Sequence, residues 1–379
     1  MTGRERVEAL LGGSPVDRPP FGPAVYEHKA ALIGETPSRL ARDADLLEAA
    51  AAREIEIYDA DLVTVGCDVY NVEAEALGCA VRFYDSNDVP SIETRIVRPG
   101  EDVDKLRVPD PERDGRMPVF LEAGRRIAGF FGKERVIRGA LSAPYSLAAE
   151  LVGAEALLLA AMDDPGWVAD LLAFAAETVK AYGRAFVERN LGVVLFDSHA
   201  SPPLLSPRLY RQLVLPPTRT VVRYFRETLG VPLVPLILGG DTAPILNDIL
   251  ASGTNNVLCD FKADLAAFAG RLHDEPVLLR ANLDPRFLLT ASLPEISVRT
   301  REILETGRRH PRFVLGTGIL PYDLPPENVI AVRSVLENRK SPLSPLLKRG
   351  VRGISYAIFW ALVRISAVPS VSYRVGLQP

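Results

Sequence analysis

The segment Val193–Pro216, VVLFDSHASPPLLSPRLYRQLVLP, predicts the fold of this 379-residue chain. Four apolar residues, Val193 to Phe196, show no alternation of polarity, which is typical of a strand buried on both faces. The segment turns polar at Asp197, passes through a proline-rich loop and continues as a helical pattern from Pro207. A buried strand that ends in polar side chains and leads into a helix is the repeating unit of a parallel α/β barrel, which builds its active site at such strand ends.

The same alternation of strand and helix recurs along most of the chain. Further strand patterns lie at 61–66, 136–141, 232–238, 257–259, 277–280 and 312–315. We count seven or eight strand–helix units, which favours a closed (β/α)8 TIM barrel over an open doubly wound sheet. No G-x-G-x-x-G motif follows the first strand, so the dinucleotide-binding alternative loses its main support.

Composition excludes several classes of protein. The apolar share of 47% and charged share of 24% are typical of a globular enzyme, and a net charge of −4 argues against a nucleic-acid binder. The three cysteines form neither a C-x-x-C pair nor a disulfide framework, which predicts a reducing, cytoplasmic setting. The four histidines are isolated from the cysteines, so we expect no metal site.

The C-terminal segment differs from the rest of the chain. We expect residues 1–340 to form a single barrel domain and residues 341–379 to form a basic, apolar extension. No acid occurs from Asn338 onward, and the apolar run Ile354–Val363 is about half of the ~20 residues that span a bilayer. Two interpretations remain: the extension contacts an anionic membrane surface, or it packs on the barrel or across a dimer.

Polar residues at the strand ends are the candidate site, because these ends meet at one mouth of a barrel. Asp68 ends an apolar strand, where burial can raise the pKa of a carboxyl and allow proton transfer near neutral pH. The alternative for Asp68 is a helix or turn cap. The other candidates, expected to bind substrate, are Tyr145, Ser198, Asp241, Arg280, Asn282 and Thr317.

The adjacent residues Asp197, Ser198 and His199 do not predict a hydrolase. Neighbours on an extended chain point to opposite faces, so the three cannot form a catalytic triad. His199 is a candidate general acid or a structural histidine. Arg280 is a candidate clamp for a carboxylate or phosphate, and the alternative is an ion pair with Asp260.

Several segments match one superfamily in order. They are DRPPFGPAVYEHKAALIG (17–34), GCDVYNVEAEALGCAVRF (66–83), SAPYSLAAELVG (142–153), FDSHASPPLLSPRLYRQLVLP (196–216), NLDPRFLL (282–289) and FVLGTGILPYDLPPENV (313–329). Over most of residues 1–338 the chain resembles the uroporphyrinogen decarboxylase superfamily, which also holds corrinoid and coenzyme M methyltransferases. The resemblance implies a (β/α)8 barrel of that type. It assigns the decarboxylases' catalytic aspartate to Asp68 and their substrate-binding serine to Ser198.

The resemblance also marks departures. Thr317 stands where the decarboxylases have a histidine, and FGPAVYEHKAALIG (21–34) lacks their N-terminal arginine pair. The zinc ligands of the methyltransferase branch correspond to Ile237, Gly239 and Thr317, none of which retains a ligand side chain, whereas NVEAEALGC and MDDPGW resemble that branch.

Three functions follow. The first is a metal-independent, decarboxylase-like enzyme that needs no cofactor and acts on a small carboxylated molecule, such as a tetrapyrrole. The second is a zinc-free methyltransferase that uses a corrinoid or a corrinoid protein. The third is a non-catalytic tetrapyrrole-binding barrel. In each case we expect a homodimer.

Overall fold

The computed structural model describes residues 1–202 and 204–337, so the expected extension at 341–379 lies outside the described residues. Within them the chain forms ten strands: β1 (Phe21–Ala24), β2 (Leu62–Val65), β3 (Ala80–Arg82), β4 (Ser91–Thr94), β5 (Val136–Ser142), β6 (Gly192–Phe196), β7 (Leu236–Ile237), β8 (Asn256–Cys259), β9 (Leu278–Leu283) and β10 (Phe313–Ile319).

Eight of these strands form a ring of parallel strands. One arc has the order β1-β10-β9-β8 and the other β2-β5-β6-β7, and the arcs meet where β1 packs beside β2 and β7 beside β8. β3 and β4 form a separate antiparallel hairpin. The (β/α)8 barrel expected from the sequence is therefore confirmed.

Helices connect the strands and cover the outside of the ring. In the described residues the α-helices are α1 (Gly3–Leu11), α2 (Glu27–Ala31), α3 (Pro37–Leu40), α4 (Ala44–Tyr58), α5 (Asn71–Ala76), α6 (Met117–Phe131), α7 (Pro144–Val152), α8 (Ala154–Asp163), α9 (Pro165–Val187), α10 (Pro207–Leu209), α11 (Leu215–Arg223), α12 (Leu246–Ala251), α13 (Leu265–Arg271), α14 (Pro285–Thr290), α15 (Leu293–Gly307) and α16 (Pro326–Leu336).

Shorter turns interrupt this pattern. There are 3-10 turns at Val103–Lys105, Ser198–Ala200 and Ala243–Ile245, and π-helical turns at Tyr210–Val214 and Tyr224–Thr228. The helical stretch from α7 to α9 is broken at Asp164 and at Gly153, whose φ of 103° few other residues adopt. Within the described part of the chain no single helix is long and apolar enough to cross a membrane; α7 and α8 reach that length only together, across a bend of 106°.

A buried carboxylate joins the first two barrel strands at the base. Asp61 is fully buried and accepts hydrogen bonds from Arg18 Nη1 at 2.5 Å, from Arg6 Nη1 at 2.9 Å and from the Phe21 amide at 2.7 Å. Its own amide donates to the Phe21 carbonyl at 2.8 Å. Two arginines and two backbone bonds thus compensate the cost of burying this charge and close the gap between β1 and β2.

The second junction is closed by side chains that imitate a strand ladder. Thr254 Oγ1 donates to the Val234 carbonyl at 2.8 Å, and the Val234 amide donates to Asn255 Oδ1 at 3.0 Å. These bonds give the amide and carbonyl of Val234, just before β7, the partners that a neighbouring strand would otherwise supply.

Candidate active site in the barrel lumen

The lumen is sealed at its base by apolar side chains. An apolar cluster packs there beneath the ring, formed by Val7 and Leu10 of α1 together with Leu62, Leu233, Leu278 and Val314, and Val136 packs against it. Since side chains two positions apart on a strand face the same way, these residues identify the inward-facing positions of β2, β5, β9 and β10.

The layer above this base is polar. Counting two residues up each strand gives Thr64, Arg138, Arg280 and Gly316. The Arg280 guanidinium lies against β10, because a Cβ at Gly316 would sit only 2.6 Å from its Nη2. Both arginines are buried, which lowers the pKa of Arg280 and lowers that of Arg138 to about 10; the nearby charge of Arg280 adds to the effect on Arg138.

The next layer is built from small side chains and leaves space. Counting four positions along each strand from its base residue gives Gly66, Ala140, Asn282 and Gly318. Ala140 is only partly buried although it lies in the middle of a barrel strand. A second apolar cluster, centred on Tyr26, Val194 and Phe196, lines the opposite wall, with the Tyr26 and Phe196 rings edge to face at 5.7 Å. Small side chains, one of them partly exposed, thus lie between the arginine layer and the mouth.

Glu27 supplies a titratable group at this mouth. It begins α2, directly after the buried Tyr26, and lies close enough to Cys67 at the end of β2 for its charge to raise the pKa of that thiol. Glu27 forms no ion pair with any described residue. Burial raises the pKa of its carboxyl to about 7. Glu27 can therefore donate or accept a proton near neutral pH.

Ser198 and His199 lie on the same rim, held by Tyr70. The Tyr70 hydroxyl donates to Ser198 Oγ at 2.8 Å and accepts from the Ser198 amide at 3.2 Å, and its ring packs edge-on against His199 at 5.7 Å. Burial lowers the pKa of His199, which favours the neutral imidazole, and its Nε2 lies 3.8 Å from Glu150 Oε1. Tyr70 has a φ of 81°, a strained conformation for this residue that often marks functional sites.

Asp68 lies beside this rim in an ion pair. Its Oδ2 accepts from Arg116 Nη2 at 2.8 Å and its Oδ1 accepts from Asn71 Nδ2 at 2.5 Å, while Arg116 also pairs with Glu75. Burial outweighs the charge of Arg116 and raises the pKa of Asp68 to about 6. The direction of the shift agrees with the sequence-based expectation, but the aspartate is not solitary.

Two other strand-end aspartates make local contacts. Asp197 is fully buried and accepts from the amide and hydroxyl of Ser146 at 3.0 and 2.8 Å, which caps α7; burial raises its pKa to about 7. Tyr145, in the first turn of α7, is buried near Asp197. Asp241 is exposed and accepts from the Ala243 amide at 3.1 Å, which is the geometry of a turn cap.

Arg280, Asn282 and Thr317 are brought together on neighbouring strands. Arg280 donates through Nε to Asn282 Oδ1 at 2.9 Å and through Nη2 to the Gly22 carbonyl at 2.8 Å, and it forms no ion pair with Asp260. Thr317 Oγ1 accepts from the Ala24 amide at 3.0 Å and thereby bridges β10 to an irregular point of β1.

The comparisons with known proteins now identify the family. The family model described as uroporphyrinogen decarboxylase (URO-D) matches residues 2–338. The chain belongs to the uroporphyrinogen decarboxylase family. Among its relatives is a methylcobamide:CoM methyltransferase, MtbA, of Methanosarcina acetivorans, 28% identical over 312 residues that cover 81% of this chain and 90% of that protein.

Decarboxylases and solved structures of the family are also similar. A uroporphyrinogen decarboxylase of Koribacter versatilis is 26% identical over 331 residues, covering 83% of this chain and 90% of that protein. The solved structure of a methyltransferase from Methanosarcina mazei superposes with a TM-score of 0.80 at 24% identity, over 89% of this chain and 99% of that one. Enzyme activity is the shared property of these relatives.

The positions that resemble zinc ligands of the methyltransferase branch do not fit a zinc ion here. Ile237 packs in the apolar wall of the lumen, Gly239 has no side chain, and the Thr317 hydroxyl is bound to a strand amide. Within residues 1–202 and 204–337, no group of three or more His, Cys, Asp or Glu side chains could hold a metal ion.

Three residues of the lumen escaped the sequence analysis. Arg138 lies within the predicted strand at 136–141 and not at its end, and Tyr26 and Glu27 lie in the opening segment at 17–34, where the resemblance assigned no functional residue. A signal for Arg138 was present, because a charge in the middle of the apolar strand VIRGALS is rarely buried without a function or a partner. Tyr26 and Glu27 follow β1, which reads in sequence only as an extended segment with glycine and proline.

Proposed function

We propose that this chain is a metal-independent enzyme of the decarboxylase type, which binds a small carboxylated molecule in the barrel lumen. The observation that carries this proposal is the pair of carboxyl groups at the ends of β1 and β2, Glu27 and Asp68. Burial raises their pKa values to about 7 and about 6. Such groups are populated in both protonation states near neutral pH, as general acid–base catalysis requires.

The chemistry needs only a proton from the protein. When the bond between the substrate and its carboxylate breaks, CO2 leaves and the bonding electron pair stays on the substrate carbon. A proton must then be added to that carbon. Glu27 is the better placed donor of the two, because its carboxyl is partly exposed and free of ion pairs with the described residues.

Asp68 has a different task in this proposal. Both of its oxygens are already engaged, by Asn71 and Arg116, so it acts as a fixed negative charge beside the mouth. A negative charge there stabilises positive charge on the part of the substrate that draws the electron pair from the breaking bond, before Glu27 adds the single proton. Ser198, held by Tyr70, remains the proposed hydrogen-bonding contact for the substrate.

Release of CO2 by purified protein in the presence of a metal chelator tests this proposal. The substrates are a panel of carboxyl-labelled porphyrinogens and smaller aromatic carboxylic acids. We expect labelled CO2 from at least one of them. Glu27→Gln should lower kcat by about 10²–10⁴-fold. The control Glu305→Gln, at an exposed position of α15, should leave it unchanged.

A zinc-free corrinoid-linked methyltransferase is the second candidate, and the MtbA relatives favour it. Its substrate would need no thiolate, since the positions of the zinc ligands carry Ile237, Gly239 and Thr317. The same protein is therefore incubated with methylcobalamin and thiol or amine acceptors. Loss of the methylcobalamin spectrum, with no CO2 released from the panel, would refute the decarboxylase and support the methyltransferase. Binding of porphyrins or cobalamins without turnover of either kind supports the non-catalytic barrel instead. Homodimer formation and binding of a corrinoid protein remain predictions.

A further inference from the structure

The described residues contain six buried arginines, and they fall into two groups. They are Arg6, Arg18, Arg116, Arg138, Arg280 and Arg333. Four form ion pairs with aspartate or glutamate side chains. Arg138 and Arg280 form none with any described residue, and these two are the ones that lie in the lumen. A buried charge without a partner is costly, so proteins seldom retain one without a reason.

The hydrogen bonds of the two arginines leave donors free. Arg138 donates through Nη2 to Thr64 Oγ1 at 3.0 Å, and its buried Nε has no partner. Arg280 uses Nε and Nη2 for bonds to Asn282 and to backbone carbonyls, whereas no described residue bonds to its Nη1. Each guanidinium has five N–H donors, so several have no hydrogen-bond partner among the described residues.

The two positive charges are close to one another and to one tyrosine. Arg280 lowers the pKa of Arg138, and both arginines act on the pKa of the Tyr26 hydroxyl. The acids that face them are already engaged. Glu54 pairs with Lys29 at 3.1 Å, and Asp260 accepts from the Gly240 amide at 2.8 Å. Glu54 and Asp260 therefore offset part of the positive charge from a distance, but neither forms an ion pair with Arg138 or Arg280 in the described residues.

One position beside the arginines is accessible. Gly22 and Gly316 make room for the Arg280 guanidinium itself, since a Cβ at Gly316 would lie only 2.6 Å from its Nη2, whereas Ala140, two residues above Arg138, is partly exposed. The polar layer lies between the apolar base and the mouth, so a group that enters from the mouth meets the arginine layer before it meets the base.

We propose that Arg138 and Arg280, with Thr64 and Tyr26, form an anion subsite at the bottom of the lumen that binds one planar or tetrahedral oxyanion of the substrate. This subsite deepens the proposed function, on which its identity as a substrate site rests. A carboxylate or a sulfonate fits best, because both present two or three oxygens to guanidinium forks. The rest of the substrate then extends upward, toward Glu27 and the rim.

Calorimetric titration of the full chain with inert anions tests this subsite. The probes are acetate, methanesulfonate and inorganic phosphate, with acetamide as the neutral analogue of acetate. None of them can be decarboxylated by this chemistry or donate a methyl group, so the result is independent of the proposed reaction. We expect saturable anion binding, weakened by salt, and no binding of acetamide.

Variants separate the subsite from general surface charge. Arg138→Met and Arg280→Met should each weaken anion binding about 10- to 100-fold, the usual effect of losing a charge-assisted hydrogen bond. Arg223→Met, on the exposed face of α11, is the matched control and should bind as the wild type does. Circular dichroism checks that each variant is folded. The ranking of the three probes identifies the oxyanion.

Anion binding of equal strength in the wild type and in folded Arg138→Met and Arg280→Met would overturn the subsite. Absence of any anion binding to the wild type would overturn it as well. Binding that disappears in the two variants while no substrate releases CO2 would retain the subsite and refute the decarboxylase.

Discussion

Replacing Arg138 by methionine should make the ligand-free protein more stable. Burial and the like charge of Arg280 lower the pKa of Arg138 to about 10. Because a guanidinium ordinarily ionises above pH 12 and each tenfold loss of proton affinity corresponds to about 1.36 kcal/mol, holding this cation in the lumen costs about 3 kcal/mol. The variant loses the bond to Thr64 Oγ1, which contributes about 1 kcal/mol. The net gain is about 2 kcal/mol.

Urea unfolding at pH 7 measures this change. The penalty is fully present at that pH, below both the folded and unfolded pKa values, and fades only as the pH rises above about 10. The control is Arg116→Met, which leaves the buried Asp68 and its neighbour Glu75 without their cation and should cost about 3–5 kcal/mol. An unfolding free energy of Arg138→Met that falls by 2 kcal/mol or more would show that Arg138 is structural and would refute the reasoning.

The remaining predictions concern the other charges. Folding raises the carboxyl pKa values of Glu27, Glu73 and Asp197 to about 7, so the stability they contribute is present at low pH and is lost as the pH rises through 7. The unfolding free energy should therefore fall between pH 5 and pH 8, and Glu27→Gln should reduce the slope of that fall by about one proton. A slope that Glu27→Gln leaves unchanged would contradict the raised pKa of Glu27. Asp61→Asn should cost about 3–5 kcal/mol in urea unfolding, because it leaves two buried arginines without their shared acid; a loss under 1 kcal/mol would contradict its role in joining β1 and β2. Asp197→Ala should cost about 1–2 kcal/mol through loss of the α7 cap, and Asp197→Asn clearly less; equal losses for both would count against capping.

The fold was predictable because its signal is repeated. Apolar runs such as Val193–Phe196, each followed by a helical pattern, occur often enough to require a parallel barrel, and the predicted strand at 136–141 corresponds to Val136–Ser142. β1 was missed as a barrel strand because its four residues contain a glycine and a proline, and neighbouring strands rather than local propensity hold it extended.

The site was less predictable, because strand ends in sequence do not reveal where side chains point. Asp197 directly follows β6, as expected, but it accepts hydrogen bonds from the first turn of α7. The strand predicted at 232–238 is only Leu236–Ile237, so Asp241 lies beyond its end and caps a turn. Arg138 lies in the middle of a strand, and its inward orientation depends on the register of β5 against the apolar base. The partnership of Asp68 with Arg116 joins residues 48 positions apart, which no local pattern encodes.

Mass spectrometry of a carboxylate-rich metabolite extract, incubated with chelator-treated protein, tests the central claim most directly. Parallel incubations contain Glu27→Gln, Arg280→Met or added methylcobalamin. We predict that wild-type protein, without methylcobalamin, consumes a substrate while a product lighter by one CO2 accumulates. Either variant should form much less of this product. Products heavier by one methylene group, formed only when methylcobalamin is added and without loss of CO2, would contradict the decarboxylase and establish methyl transfer in its place.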